Sequence, residues 1–300
     1  MDRFQAMQIF TRVSERRSFT LVAEDLGLSR STVTDAVKQL EKHLGVQLLQ
    51  RTTRHVSPTL DGEAYYRRCI AILADIEDAE GAFAGAKPKG LLRVNMHGTL
   101  ARHWVFPSLP DFLRTYPDIE FYLDETDRLV DLVREGIDCV VRVGNLQDSD
   151  MIARRLALLE QVTLASPAYI ERHGTPFRPD RLQEENHRMV AFHSSATGAV
   201  LPLDFMVEGR VLDVTLPSVF STTAADSYYE AAKLGLGIIQ VPRYRAAADM
   251  GAGKIVELFS NYPPQPLPVS VLYPPSRQLS PRVRVLVDWL VDVFQQKDRE

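Results

Sequence analysis

The chain has almost no cysteine: Cys69 and Cys139 are the two in 300 residues. Two thiols so far apart form neither a disulfide framework nor a metal-ligand set, and both are expected to act as buried apolar side chains. No apolar run reaches the roughly 18 residues that cross a membrane. The opening MDRFQAMQIFTRVSERRSF lacks the apolar stretch behind a basic start that marks a signal peptide. The expected setting is therefore the cytoplasm, with no membrane partner. There is no Ser/His/Asp set and no phosphate loop. The glycines of Leu234-Gly235-Leu236-Gly237 follow a helix pattern and precede a strand pattern, the reverse of dinucleotide order. Catalysis, a metal and a cofactor are accordingly not expected. What remains is ordinary globular composition, 45% hydrophobic and 25% charged, in a length that favours two domains.

The formal net charge of −4 hides an uneven distribution. Between Ser29 and Ser57 stand five basic residues (Arg30, Lys38, Lys42, Arg51, Arg54) against Asp35 and Glu41, a local net of +3. A basic patch on an acidic chain is a modest electrostatic footprint for nucleic acid, and equally that of a solvated charged face. The surrounding pattern decides between them. Ala6, Ile9, Phe10 and Val13 make one helical face; Ser18 to Leu26 is a second short helix closed by Gly27. Ser29 is placed to cap a third helix with Val33, Ala36, Val37, Leu40 and Leu44 inward, and Gly45 ends it. Two helices joined by a short glycine-containing turn have helix-turn-helix dimensions. The third helix presents Ser29, Arg30, Ser31, Thr32, Thr34, Asp35 and Lys38 as candidate DNA contacts. Residues 46–59 read as a short β-wing whose tip holds Arg51, Thr52 and Arg54, suited to phosphate or the minor groove.

Residues 60–86 read as one long helix. Tyr65, Cys69, Ile72, Ile76, Ala79 and Phe83 recur at alternating spacings of four and three, a heptad seam that needs a partner helix. Tyr65, Cys69, Ile72, Ile76 and Phe83 are therefore the candidate dimerisation residues, with packing on the protein's own body as the alternative. Lys87-Pro88-Lys89-Gly90 is a linker. Beyond it strand and helix patterns alternate, as parallel βαβ units do: Leu91–Met96, Glu120–Leu123 and Ile137–Val143 as strands, a helix entered at Gly98-Thr99 and including Phe112 and Leu113, and another over Leu129–Arg134.

The run Phe19, Ala23, Leu26, Leu28-Ser29, Val33-Thr34, Val37, Leu40-Glu41, Leu44-Gly45, Leu48-Leu49, Arg51-Thr52-Thr53-Arg54, Thr59 and Gly62 resembles the DNA-binding module of LysR-type transcriptional regulators. Leu272-Tyr273-Pro274, Ser280-Pro281-Arg282-Val283-Arg284 and Asp288-Trp289-Leu290 resemble the ending of the CrgA-like branch. Two positions depart from the family: Asp35 stands where an arginine is common, and Pro58 where leucine is usual. The resemblance implies an α/β protein with an all-α-rich winged helix-turn-helix N-terminal domain and a C-terminal two-lobed sensor like a periplasmic binding protein of the second type. The expected bounds are 1–59 for the DNA-binding domain, 60–86 for the dimerisation helix and 91–300 for the sensor. Lobe one is expected over about 91–165 and 267–300, lobe two over about 166–266. The function implied is sequence-specific regulation of transcription on double-stranded promoter DNA, modulated by a small-molecule effector, in a homodimer or homotetramer.

Ligands of open α/β sheets sit beyond the carboxyl ends of the strands. That rule selects Thr99 with Leu100, Thr126, Arg142, His193, Ser194 and Thr222 as candidate effector contacts. Each also has a plain structural use, as a cap, a turn residue, a surface ion pair or a satisfied histidine. A carboxylate is the commonest expectation for such a site, although Asp124, Glu125 and Asp127 crowd one strand end.

Overall fold

The computed structural model describes residues 2–51, 56–84, 87–126, 132–146, 149–195, 197–275 and 280–297; the side chains of 51, 77–84, 133–134 and 297 fall outside that description. The first helix, Arg3–Arg16, starts where the Asp2 carboxylate accepts from the Gln5 amide. Ser18 caps Phe19–Leu26 and Ser29 caps Arg30–Leu44 in the same way. Gly27 and Gly45 close the second and third helices at φ +63° and +72°, a left-handed conformation that glycine enters without a Cβ clash. Ile9, Phe10, Val13, Phe19, Val22, Val33, Val37 and Leu40 bury the stripe that the periodicity defines.

The wing is a two-stranded antiparallel ribbon of Leu49–Arg51 and Val56–Pro58. Glu41 fastens it to the third helix: its Oε1 accepts from the Leu48 and Leu49 amides at 2.9 and 3.1 Å. The long helix, Leu60–Ala84, spans about 37 Å at 1.5 Å per residue. Thr59 anchors its start, donating to the Gln47 carbonyl at 2.6 Å and accepting from the Gly62 amide at 2.9 Å.

The heptad seam is only partly available to a partner. Cys69 is fully buried in the N-terminal core, and the Tyr65 ring lies 5.6 Å from that of Phe10. The reason is geometric: the long helix crosses the first helix, so the seam's first two positions are consumed within the same chain. Ile72 is 41% exposed and Ile76 half-buried; the side chain of Phe83 lies outside the described residues.

The first sensor lobe is a five-stranded sheet in the order Ile119–Asp124, Gly90–Met96, Cys139–Val143, Leu267–Tyr273, Ile152–Leu159. Its first three strands run parallel, as the alternation of strand and helix requires. The expected continuous helix after Gly98 is broken into a short turn, Gly98–Leu100, a π-helical turn, Ala101–Val105, and a helix, Leu109–Thr115. Pro107 and Pro110 supply no amide hydrogen there, which stops one ladder and starts the next. Of the helix expected over Leu129–Arg134, Leu132–Glu135 is described. The C-terminal helix, Pro281–Lys297, returns to this lobe and buries Leu286, Leu290 and Phe294.

The second lobe begins earlier than expected. Gln161–Ala165, assigned from sequence to lobe one, is the central strand between Ile239–Pro242 and Val256–Leu258. Ile152–Leu159 remains with Leu267–Tyr273 in the first sheet, so the chain changes lobe at Glu160. The two strands abut in sequence without a turn signal, and only their pairing separates them.

Gly62 sets the approach of the long helix to the wing. A Cβ built there would stand 1.9 Å from the Leu48 carbonyl oxygen, a backbone atom with little freedom to move. Gly62→Ala is expected to destabilise the N-terminal domain by about 1–3 kcal/mol, the usual penalty of overpacking. Thermal unfolding followed by circular dichroism tests this; a melting temperature equal to that of the unmodified chain contradicts the close approach.

Candidate nucleic-acid interface and effector cleft

The polar face of the third helix is open. Arg30, Ser31, Asp35 and Lys38 are exposed, and Thr34 is half-buried. The hydroxyls are already committed among themselves. Ser29 Oγ lies 2.7 Å from both Ser31 Oγ and Thr32 Oγ1, and it caps the Thr32 amide at 3.1 Å. Thr34 Oγ1 donates to the Arg30 carbonyl at 2.8 Å. With its proton so used, the Thr34 hydroxyl has only acceptor capacity left, and Asp35 beside it accepts only. Such a pair matches the exocyclic amino groups of adenine or cytosine in a major groove. Arg51 ends a wing strand; Thr52 and Arg54 lie outside the described residues.

The sensor candidates fare unevenly. Thr99 is half-buried at the turn after the first strand; its Oγ1 lies 2.8 Å from His97 Nδ1 and 3.3 Å from the Tyr244 hydroxyl of the other lobe. Leu100 is a correction: its side chain is fully buried in the lobe-one core and lines no cleft, because the turn points it beneath the sheet end. Thr126 is committed to its own lobe, donating to Asp124 Oδ2 at 2.9 Å and accepting from Asn95 Nδ2 at 3.0 Å. It lines a cavity of about 450 Å³ that faces Tyr66, Arg67 and Ile70 of the long helix. Arg142 is half-buried on its strand, with Nη1 donating to the Val141 carbonyl at 3.2 Å. His193 and Thr222 end neighbouring parallel strands, so the fold brings these two together. His193 Nδ1 lies 2.9 Å from the Gly198 carbonyl, Ser194 Oγ accepts from the Thr197 amide, and Thr222 Oγ1 accepts from the Ala224 amide.

The strongest contacts between the lobes involve residues that sequence reasoning missed. Tyr244 inserts into lobe one, stacked on His103 with centroids 4.5 Å apart and edge-on to Trp104 at 5.9 Å. Burial pushes its phenol above the ordinary tyrosine value, with the Thr99 hydrogen bond acting the other way. Arg102 Nη1 donates to Glu125 at 3.0 Å and Nη2 to Asp226 of lobe two at 3.0 Å; Arg245 donates to the other oxygen of Asp226. Exposed ion pairs contribute about 0–1 kcal/mol each, whereas an aromatic pair adds about 0.5–1.5 kcal/mol beyond its burial. Tyr244 is therefore the firmer of the two interlobe contacts. The signal was accessible: the strand-end rule, applied to Ile239–Pro242, leads straight to Arg243-Tyr244-Arg245.

Residues 4–63 match the bacterial regulatory helix-turn-helix model of the lysR family, and residues 85–295 match the LysR substrate-binding domain. The chain belongs to the LysR family of transcriptional regulators. The regulator is 36% identical to an HTH-type transcriptional repressor of Pseudomonas aeruginosa, over 98% of this chain and 93% of the relative. It is 30% identical to the HTH-type transcriptional activator AaeR of Escherichia coli, over 98% and 94%. Among solved structures, CrgA of Neisseria meningitidis aligns with a TM-score of 0.60 at 28% identity, covering 97% of this chain and 98% of that one. The LysR-type regulator thus combines a helix-turn-helix DNA-binding domain with an effector-binding domain, as the quoted motifs imply, and it is not an enzyme.

Because Thr34 presents an acceptor at the N-terminal end of the third helix, Thr34→Ala is expected to lose about 1–3 kcal/mol of discrimination at one operator base pair while sparing general affinity. Footprinting and competition against base-substituted operators measure it. An unchanged base preference refutes the orientation assigned to this face.

Proposed function

We propose that the regulator docks Arg30, Ser31, Thr34, Asp35 and Lys38 in the major groove. Ser29 and Thr32 order the helix start, and Arg51, Thr52 and Arg54 of the wing track the backbone or minor groove. A small effector, a carboxylate by charge, binds between the lobes within reach of Thr99, Tyr244, His193 and Thr222. The single observation that carries this reading is the direct interlobe contact of Thr99 with Tyr244, which links the first-strand turn to the second lobe on a chain with an open recognition face. The protein works in the cytoplasm, where its DNA lies.

Two recognition helices must meet half-sites on one face of a duplex, so dimerisation is part of the mechanism. The part of the seam that remains accessible, at Ile72 and Ile76, supplies it, giving a homodimer or, with further contacts between sensor domains, a homotetramer. An effector can change DNA binding only through unequal affinity for two arrangements of the oligomer. Coupling is reciprocal, so operator DNA changes effector affinity by the same factor.

The experiment is a gel shift and footprint of the full chain on promoter fragments, with and without candidate effectors. Thr99→Val keeps the side-chain shape and removes the hydroxyl; the effector response is expected to vanish with basal DNA binding intact, and a normal response refutes the cleft assignment. Ile72→Glu places a charge in the open part of the seam and is expected to give monomers with weakened operator binding. Sedimentation of that variant as an intact oligomer counts against the long helix as the dimer contact.

A further inference from the structure

The ion pairs that join the two lobes have the geometry of a bound ligand. Asp226 opens the helix Ala225–Lys233, and its two oxygens are taken by different guanidiniums. Oδ2 accepts from Arg102 of lobe one at 3.0 Å, and Oδ1 accepts from Arg245 of lobe two. Arg245 is itself held in place, its guanidinium 4.8 Å from the Tyr229 ring centroid; its Nε is buried without a hydrogen-bond partner among the described residues. Gly98 lets this set close up, its missing side chain making room for the ion pair: a Cβ there would stand 2.3 Å from Glu125 Oε2 and 3.0 Å from Arg102 Nη2. Two cationic forks that converge on one carboxylate, beside the Thr99 and Tyr244 hydroxyls, form a receptor for a planar anion.

We infer that Asp226 is a tethered carboxylate occupying the seat, formed by Arg102 and Arg245, that receives the carboxylate of the effector. The inference rests on the effector reading of the interlobe cleft and adds how that cleft is kept shut. Two arginines against Asp226 and Glu125 make the closed cluster neutral. An arriving monoanion therefore has to displace one of the two acids. Asp226 is the one to leave: its side chain is 55% exposed against 38% for Glu125, and it alone bridges the lobes. Its release breaks the Arg102 link and leaves Tyr244 as the remaining interlobe anchor. The effector thus exchanges an internal anion for its own, and the protein separates the ligand-free arrangement from the bound one by a single carboxylate.

The test uses the full chain, hydrogen exchange of its amides, and sodium benzoate as probe with neutral benzamide as control. In the ligand-free state, D226N is expected to raise exchange at least threefold in residues 98–105 and 225–233. R102Q is expected to do the same from the other lobe, and the double variant no more than either alone. R114Q, in an exposed pair on the lobe-one surface, is expected to change neither segment. Unchanged exchange in the C-terminal helix shows that each variant is folded. Benzoate is expected to restore protection in D226N at concentrations at least fivefold below those acting on the unmodified chain, and benzamide to do nothing. Ligand-free exchange in D226N equal to the unmodified chain overturns the inference, as does benzoate acting on both alike. Preferential benzoate protection of D226N without any change in the operator footprint supports the seat and refutes the effector reading instead, so the two fail separately.

Discussion

Tyr244 is where the two lobes of the sensor become one object. Its ring leaves the second lobe, stacks on His103, meets Trp104 edge-on and reaches Thr99 with its hydroxyl. Trp104 in turn stacks on Phe294 of the C-terminal helix at 4.6 Å, so the anchor extends through lobe one to its far layer. Around it the polar contacts are exposed and individually weak, as ion pairs at water-accessible sites are. A firm apolar pivot is thus ringed by labile charges.

At the other end of the chain a second set of contacts ties the wing, the third helix and the long helix together. Glu41 fixes the wing to the third helix, Thr59 and Gly62 seat the long helix against the wing, and Cys69 sinks that helix into the N-terminal core. Rotation of the long helix therefore carries the recognition face with it. The long helix also faces the sensor, where Tyr66, Arg67 and Ile70 line one side of a cavity of about 450 Å³ and Glu135, Gly136 and Ile137 the other. Lobe rearrangement and recognition-helix geometry thus share one mechanical element. Coupling through such an element needs two packed arrangements rather than continuous bending.

The parts governed by local chemistry are legible along the chain. Caps at Asp2, Ser18 and Ser29, the glycine stops at 27 and 45, and the apolar stripes through Val33, Val37 and Leu40 follow from hydrogen bonding and periodicity within a few residues. The family-bearing run from Phe19 to Gly62 is legible for the same reason. Tertiary structure alone decided which apolar positions of the long helix were already used, because Cys69 and Ile72 look alike in a heptad and differ only in what crosses them. It decided that Gln161–Ala165 pairs in the second lobe, since strand pairing is set by register and not by composition. It also decided the contacts between the lobes: Arg102 and His103 precede Asp226 and Tyr244 by more than a hundred residues in sequence, and only the doubly crossed lobe connection brings their side chains within hydrogen-bonding and stacking range.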